Sequence, residues 1–598
     1  MNKTMDKEYN FTIETGNFRY MGPHWDKDGV VFTFLGEENA KEKCGLILKD
    51  LRLGETAKEL LLLADDSCRR GNLVSMKVSG AQLKHFGYRL LSGEQSFLDP
   101  YARNISGNEE YGREVAESAC YGLIPYGAGL SMTEERGPAI KKEDMVMYKA
   151  HVRGFTMDKG AKRERQGKFL GVCEKLSYLK ELGVTTLELM PFYEFLEKEK
   201  EQEPLNYWGY KEGYYFSPKA SYCVNPREAE AEVKALIHSA HELGIEIIME
   251  MFFPAGIPGY LVTDALIYWS EVYGVDGFHL LGSSMDMESL VKHPRLSGIK
   301  LFSEHFLQEL LDSDTYGNRL YVYRDEYLYP ARKMLNHIYG DTEAFLQQQR
   351  KQGRSFGFVN YLASNNGFSL MDVFSYNGKH NEANGEENAD GPTCNFSYNY
   401  GVEGATRKKA VMEQRLKHWK NGMTMLFLAQ GIPMIYQGDE RANSNAGNNN
   451  PYCQDNPTGW MNWKKDSISR ECCEFVASLT KLRRDYPLFH KADPFTFQDV
   501  THSGLPDLSY HGQNAWIAQV LKDQMTVGLL YSTCEGKNSQ EIYVGYNFAS
   551  EQQRIALPTN RGKRYHPVFA TGEVSISDDR RFVELEAESI GVWVTDKE

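Results

Sequence analysis

The chain lacks several things. No stretch approaches the ~18 consecutive apolar residues of a membrane-spanning helix, so no membrane partner is expected. No long basic run is present, and 68 Lys and Arg against 82 Asp and Glu leave a formal charge of −14. An acidic surface of this kind argues against nucleic acid or anionic lipid as a ligand. The opening "MNKTMDKEYNFTIETG" is polar and has no apolar core of a secretory signal. The ten cysteines form no CxxC and no His/Cys ligand cluster. They read as reduced, mostly buried thiols of a cytoplasmic protein, with no metal and no cofactor expected.

What is present is a soluble globular composition, 41% hydrophobic and 25% charged, over 598 residues. That length calls for two to four domains. Aromatics make up 12%, with 36 Tyr, which fits core packing or stacking on flat apolar faces such as sugar rings.

Three textures follow one another. Residues 1–135 hold short β-like runs, "GVVFTFLG", "KCGLILKD", "NLVSMKVSG" and "FGYRLLSG", which predict a sandwich. From 136 to 490 a helix–strand unit repeats. "FLGVCEKLSYLKELG" spaces Phe169, Val172, Leu176, Leu179 and Leu182 helically and stops at Gly183, before "VTTLELMPF". "EAEAEVKALIHSAHELG" stops at Gly244, before "IEIIMEMFF". "TDALIYWSEVYG", with Thr263 as the expected N-cap and Gly274 as the stop, precedes "VDGFHLL". Apolar strands joined by such helices predict a parallel sheet covered on both faces. With "MVMYKAHV", "GIKLFSE", "FGFVNYLAS", "IPMIYQGDE" and an eighth strand hidden near "RLYVYRDEYLY", the fold class is an α/β (β/α)8 barrel. Residues 491–598 turn β-like again ("AWIAQVL", "MTVGLLYST", "EIYVGYNF", "FVELEAESIGVWV"), predicting a C-terminal antiparallel β domain. Two stretches, "EFLEKEKEQEPLN" and "NEANGEENADG", read as solvated loops on the C-terminal side of barrel strands, where such barrels build their sites.

The loops also carry recognisable text. "FLDPYAR", "DMVMYKAHVRGFT", "ELMPFYEF", "NYWGY" (206–210), "VDGF" (275–278), "YNGKHNEANGEENADG" (376–391), "NYGVEG" (399–404) and "GDE…GNNNPYCQDN" (438–456) run in order through most of the chain. Together they resemble the isoamylase, pullulanase and glycogen-debranching branch of the alpha-amylase superfamily. The resemblance implies a carbohydrate-binding-like N-terminal sandwich, a catalytic-type barrel, a C-terminal β domain, and an α-glucan partner such as glycogen, starch or a malto-oligosaccharide.

It also implies a set of site positions. Retaining glycoside hydrolysis uses a nucleophile and an acid/base about 5 Å apart. The superfamily adds a third carboxylate, an Arg beside the nucleophile and two pocket His. The fourth-strand pattern "DGFRFD" reads "DGFHLL" here, so His279 stands for the Arg and Leu281 for the nucleophile. The third-strand "DVVYNH" reads "EMFFPA", with Glu250 for Asp, Pro254 for Asn and Ala255 for His. The seventh-strand "TAHDGF" reads "LASNNGF", with Asn365 for His and Asn366 for the transition-state Asp. The fifth-strand "KLFSEHF" puts Glu304 on the acid/base position. Tyr210 matches the tyrosine that stacks under the sugar, and Tyr207, Trp208 and Tyr210 read either as sugar-stacking residues at a strand's C-terminal end or as loop packing.

One of three catalytic carboxylates therefore remains. Leucine has no lone pair for an anomeric carbon, so the covalent route is closed. The expectation is an α-glucan-binding protein without glycosidase activity. Two alternatives stay open: an active debranching hydrolase in which Glu304 works with a loop carboxylate such as Asp286 or Glu288, and a regulatory or scaffolding partner of a working glycogen enzyme.

Overall fold

A computed structural model describes residues 9–595 except 37–42, 81, 126–131, 284, 339–341, 501, 503, 518–523, 534–539 and 559–562. Eight parallel strands close a barrel. They are β1 (Met147–Ala150), β2 (Thr186–Leu189), β3 (Glu246–Phe253), β4 (Gly277–Gly282), β5 (Lys300–Ser303), β6 (Leu320–Tyr323), β7 (Gly357–Asn360) and β8 (Ile432–Tyr436). Closure is made by Met147 pairing with Met434. The strand near "RLYVYRDEYLY" is β6.

Strand parity decides what enters the barrel. On β3 Ile247, Met249, Met251 and Phe253 face the helices, and on β4 Phe278 and Leu280 do the same. Ile248, Met147, Phe302, Tyr321, Val359 and Met434 form a separate apolar plug inside. Gly277 lies at that level because a Cβ there would meet Lys300 O at 2.7 Å and Ile248 Cδ1 at 2.8 Å. Above the plug the inward side chains become polar.

The outer helices follow the apolar spacing, with two corrections. The first helix is split, Phe169–Cys173 and then Leu176–Glu181. Thr263 is not an N-cap. The helix begins one turn earlier, Gly259–Tyr268, because extended Pro258 starts it and Leu261 and Val262 extend the buried stripe. Thr263 Oγ1 instead donates to Gly259 O at 3.0 Å. The chain then passes through a wider π-type turn, Trp269–Tyr273, to Gly274, whose φ of 80° supplies the left-handed stop that a Cβ would disfavour.

Two antiparallel sheets precede the barrel, and two follow it. In the first pair, Gly29–Leu35 and Leu73–Ser79 sit in one sheet and Cys44–Asp50 and Phe86–Ser92 in the other. In the second pair, Thr526–Thr533, Gln540–Asn547 and Ser589–Thr595 share a sheet, while Phe582–Leu585 belongs to its neighbour. The strand expected at "AWIAQVL" is represented by one isolated bridge, Asn514 to Ile517, and its remainder lies outside the described residues. The flanking domains are tied on by specific bonds. Tyr101 OH donates to Asp264 Oδ2 at 2.8 Å, and Gln349 Nε2 donates to Tyr546 OH at 3.1 Å. Among the described residues no helix is long and apolar enough to cross a membrane.

The two loops expected to be solvated are partly buried. Glu194 and Glu197 lie inside the protein, where Lys219 Nζ reaches them at 2.7 and 3.0 Å. Their burial holds because the opposite charge and Asn108 Nδ2 satisfy them. In the second loop Asn381 and Asn384 are buried, bonding to Asn449 and Asp390 at 2.8 Å each.

Candidate active site at the C-terminal mouth of the barrel

Four charged or polar side chains meet above the apolar plug, one from each of β1 to β4. Lys149 Nζ lies 2.7 Å from Glu250 Oε2 and 3.3 Å from Glu188 Oε1. His279 Nδ1 lies 2.9 Å from Glu188 Oε1. His279 is stacked on Tyr323 of β6 at 4.3 Å, and the Lys149 ammonium sits 5.7 Å from that ring's centre. All five residues are buried.

Burial would push the Glu188 carboxyl up, but Lys149 and then His279 hold it down to about 2. Burial would likewise lower Lys149, and Glu250 and then Glu188 more than reverse this, so its ammonium titrates above the usual lysine value. The cluster is a charge-compensated knot. Glu188, Glu250 and His279 each offer an atom within 4.8 Å of the others, a spacing that could suit a metal. The Lys149 ammonium already supplies the cation between the two carboxylates.

The next layer contains Tyr210, Asn365 and Leu281. Tyr210 OH donates to Glu250 Oε1, and Asn365 Nδ2 donates to Tyr210 OH at 3.1 Å. The Tyr210 ring stacks on Phe252 at 5.6 Å and meets Trp208 edge-on at 5.6 Å. Leu281 is two residues beyond His279 on the same inward face of β4, with Phe252 beside it in register. Its side chain, partly buried, puts an aliphatic group at this level of the mouth.

Glu304 and Asn366 lie at the rim. The Glu304 side chain is 59% exposed, His305 Nε2 lies 3.9 Å from its Oε2, and its backbone oxygen accepts from Arg324 Nε at 2.6 Å. Asn366 is exposed. Across from them Asp325 accepts from Tyr361 OH and, at 3.2 Å, from Tyr329 OH.

Tyr207 and Trp208 are packing residues in this structure. Tyr207 is buried against His151, 4.1 Å between ring centres, and its hydroxyl donates to Gly459 O. Trp208 is buried between Tyr210 and Tyr452. Of the "NYWGY" aromatics only Tyr210 is half-exposed. Pro254 and Ala255 lie just beyond β3, the latter exposed. Asp286 is exposed and caps the helix Met287–Lys292 by accepting from Ser289 N at 3.1 Å, while Glu288 pairs with Lys292 at 2.5 Å. Both carboxylates are committed at the surface. Asp276 sits at the other end of β4, 2.9 Å from His241 Nε2, beside a cavity of about 830 Å³ at the N-terminal face.

Lys149, Glu188 and Tyr323 were not singled out from the sequence. The available signal was a lone Lys in "MVMYKAHV" and a lone Glu in "VTTLELM", each at inward parity in an otherwise apolar strand.

The alpha amylase catalytic domain model matches residues 145–254, from the segment entering β1 to the end of β3. Isoamylase 1, chloroplastic, of Arabidopsis thaliana is 28% identical over 96% of this chain and 87% of its own length. The GlgX homolog (glycogen operon protein) of Mycobacterium tuberculosis strain H37Rv is 27% identical over 80% of each. These comparisons support the isoamylase-type branch of the alpha-amylase superfamily for this chain. The catalytic module of the glycogen-degrading pneumococcal virulence factor SpuA shares its fold, with a TM-score of 0.73 over 97% of this chain and 98% of that one, at 16% identity. The motif resemblance in the sequence leads to the expectation of the nucleophile, acid/base and third-carboxylate positions at Leu281, Glu304 and Asn366.

Proposed function

We propose that this debranching-enzyme-like protein of glycogen and starch metabolism binds α-glucan at the barrel mouth without cleaving it. The observation that carries the reading is Leu281. The inward place above the Lys149–Glu188–Glu250–His279 knot holds an aliphatic side chain, and the two carboxylates that follow β4 are held at the surface. A covalent glycosyl intermediate needs an oxygen at that place. Removing a member of a cooperative catalytic set costs on the order of 10⁴–10⁶ in rate, and here the Arg and third carboxylate positions have changed too. Tyr210 supports retained binding, since its half-exposed ring is braced by Phe252 and its hydroxyl is fixed by Glu250 and Asn365. The relatives named above bear isoamylase and glycogen names, which supports an α-glucan as the ligand class.

Two assays on one preparation test the reading. Migration should be retarded in a native gel containing glycogen or amylopectin, and no reducing ends should be released from pullulan. Release at ordinary enzyme rates would refute it. One observation favours a second reading: among the described residues none hydrogen-bonds the exposed Glu304 carboxyl. If Glu304 is the acid of an altered hydrolase, turnover exists and Glu304→Gln abolishes it.

A further inference from the structure

His337, His418 and Glu588 come together where the barrel meets the C-terminal β domain. His337 follows the helix Leu328–Leu335, His418 lies on the helix Lys409–Leu428, and Glu588 immediately precedes the strand Ser589–Thr595. His337 Nε2 is 3.2 Å from Glu588 Oε1, and His418 Nε2 is 3.4 Å from Glu588 Oε2. The three donor atoms all lie within 4.8 Å of one another. With zinc–ligand bonds of 2.0–2.1 Å at the tetrahedral angle, neighbouring ligand atoms stand about 3.3 Å apart, and each imidazole here approaches one of the two Glu588 oxygens at that range.

Two further features bear on the site. His337 Nε2 is buried and makes no hydrogen bond, although Glu588 Oε1 is 3.2 Å away, which leaves its ring nitrogen open to a ligand. His337 and Glu588 also both have positive φ, 59° and 51°, a conformation uncommon for residues other than glycine. At the position after a helix end such a backbone ordinarily takes glycine. Here it delivers an imidazole. The His418 ring is buried and held by Tyr400 at 4.7 Å and Phe374 at 5.9 Å. Gln414 Nε2 donates to Glu588 Oε2 and lies 3.3 Å from His418 Nε2, and rotating that amide by half a turn would exchange both contacts for an oxygen that could serve as a fourth donor.

We propose that His337, His418 and Glu588 form a structural site for a divalent metal of the zinc class, stapling the C-terminal β domain to the barrel. The donor set, two imidazoles and a carboxylate, suits zinc and its borderline-soft neighbours better than calcium or magnesium.

The test uses the full chain, stripped with chelator and then dialysed against zinc chloride or cobalt chloride. One equivalent of zinc should be retained at micromolar free metal, the thermal midpoint should rise, and the cobalt form should show the visible absorption of a tetrahedral centre. His337→Asn, which tolerates the left-handed backbone, and Glu588→Gln should each lower metal affinity at least tenfold. A wild-type chain that retains no metal overturns the proposal, whatever becomes of the variants. So does one equivalent held with unchanged affinity in either folded variant.

Discussion

Lys149 on the first barrel strand reaches Glu250 on the third, with 2.7 Å between Nζ and Oε2. Both side chains are buried, so neither charge can return to water when its partner is removed. Lys149→Met should therefore leave two buried carboxylates facing each other and destabilise the fold by about 3–5 kcal/mol. Combining it with Glu250→Gln removes one of the stranded charges and should recover part of that loss. Urea midpoints of the two single variants and the double variant measure the coupling. Strict additivity of the two losses would show that the pair does not interact.

Glu188 gives the knot a signature in pH. Its folded carboxyl is held at about 2, below the ordinary value of 4.5, by Lys149 and His279 acting against burial. A depressed carboxyl contributes stability that is fully present above the unfolded value and is lost as pH falls through the folded one. The window is thus about pH 4.5 down to about 2, and the contribution is on the order of 3 kcal/mol. Glu188→Gln should be less stable than wild type at pH 7, and the gap should narrow as pH falls across that window. A gap independent of pH between 7 and 3 would refute the assignment.

Tyr207 and Tyr210 are three residues apart and should respond differently to truncation. Tyr210→Ala removes the half-exposed ring braced on Phe252 and should weaken glycogen retardation about tenfold, the equivalent of ~1.4 kcal/mol. Tyr207→Ala empties a buried site beside His151 and should cost about 3–5 kcal/mol of stability. Affinity gels and thermal melts on both variants separate the roles. Equal loss of glycogen affinity in two folded variants would mean that the loop, and not the Tyr210 ring, carries the contact.

The barrel was legible in the sequence because its strands and helices repeat a local pattern. Gly183, Gly244 and Gly274 each stand at a left-handed stop, with φ of 86°, 67° and 80°. Thr263 misled because it is a good capping residue one turn inside the true start, where extended Pro258 decides the boundary. Glu194 and Glu197 were read as solvated from their charge-rich neighbourhood. Lys219, the residue that buries them, lies over twenty positions away. The same limit hid Lys149 and Glu188, whose meaning depends on four strands brought together by closure. Leu281 and Asn366 could be flagged from motif position alone, whereas the ion-paired knot beneath Leu281 exists only where four strands meet.

Restoring one carboxylate should not restore an enzyme. Leu281→Asp would place an oxygen nucleophile above Glu250 and His279, on the inward face of β4. The neighbouring charge at that height is the Lys149 ammonium, already shared between Glu188 and Glu250. No guanidinium stands at position 279 to hold the new carboxylate ionised, and position 366 offers an amide where a third carboxylate would secure the distorted sugar. Each of these deficits alone costs orders of magnitude in a cooperative site. Reducing-end release from pullulan by Leu281→Asp should therefore match that of a Leu281→Asn control, while glycogen retardation is unchanged in both. Turnover by the Asp variant at ~100-fold or more above the Asn control would show that Leu281 alone had silenced the site. In that case His279 and Asn366 would have to be read as working members of an active set.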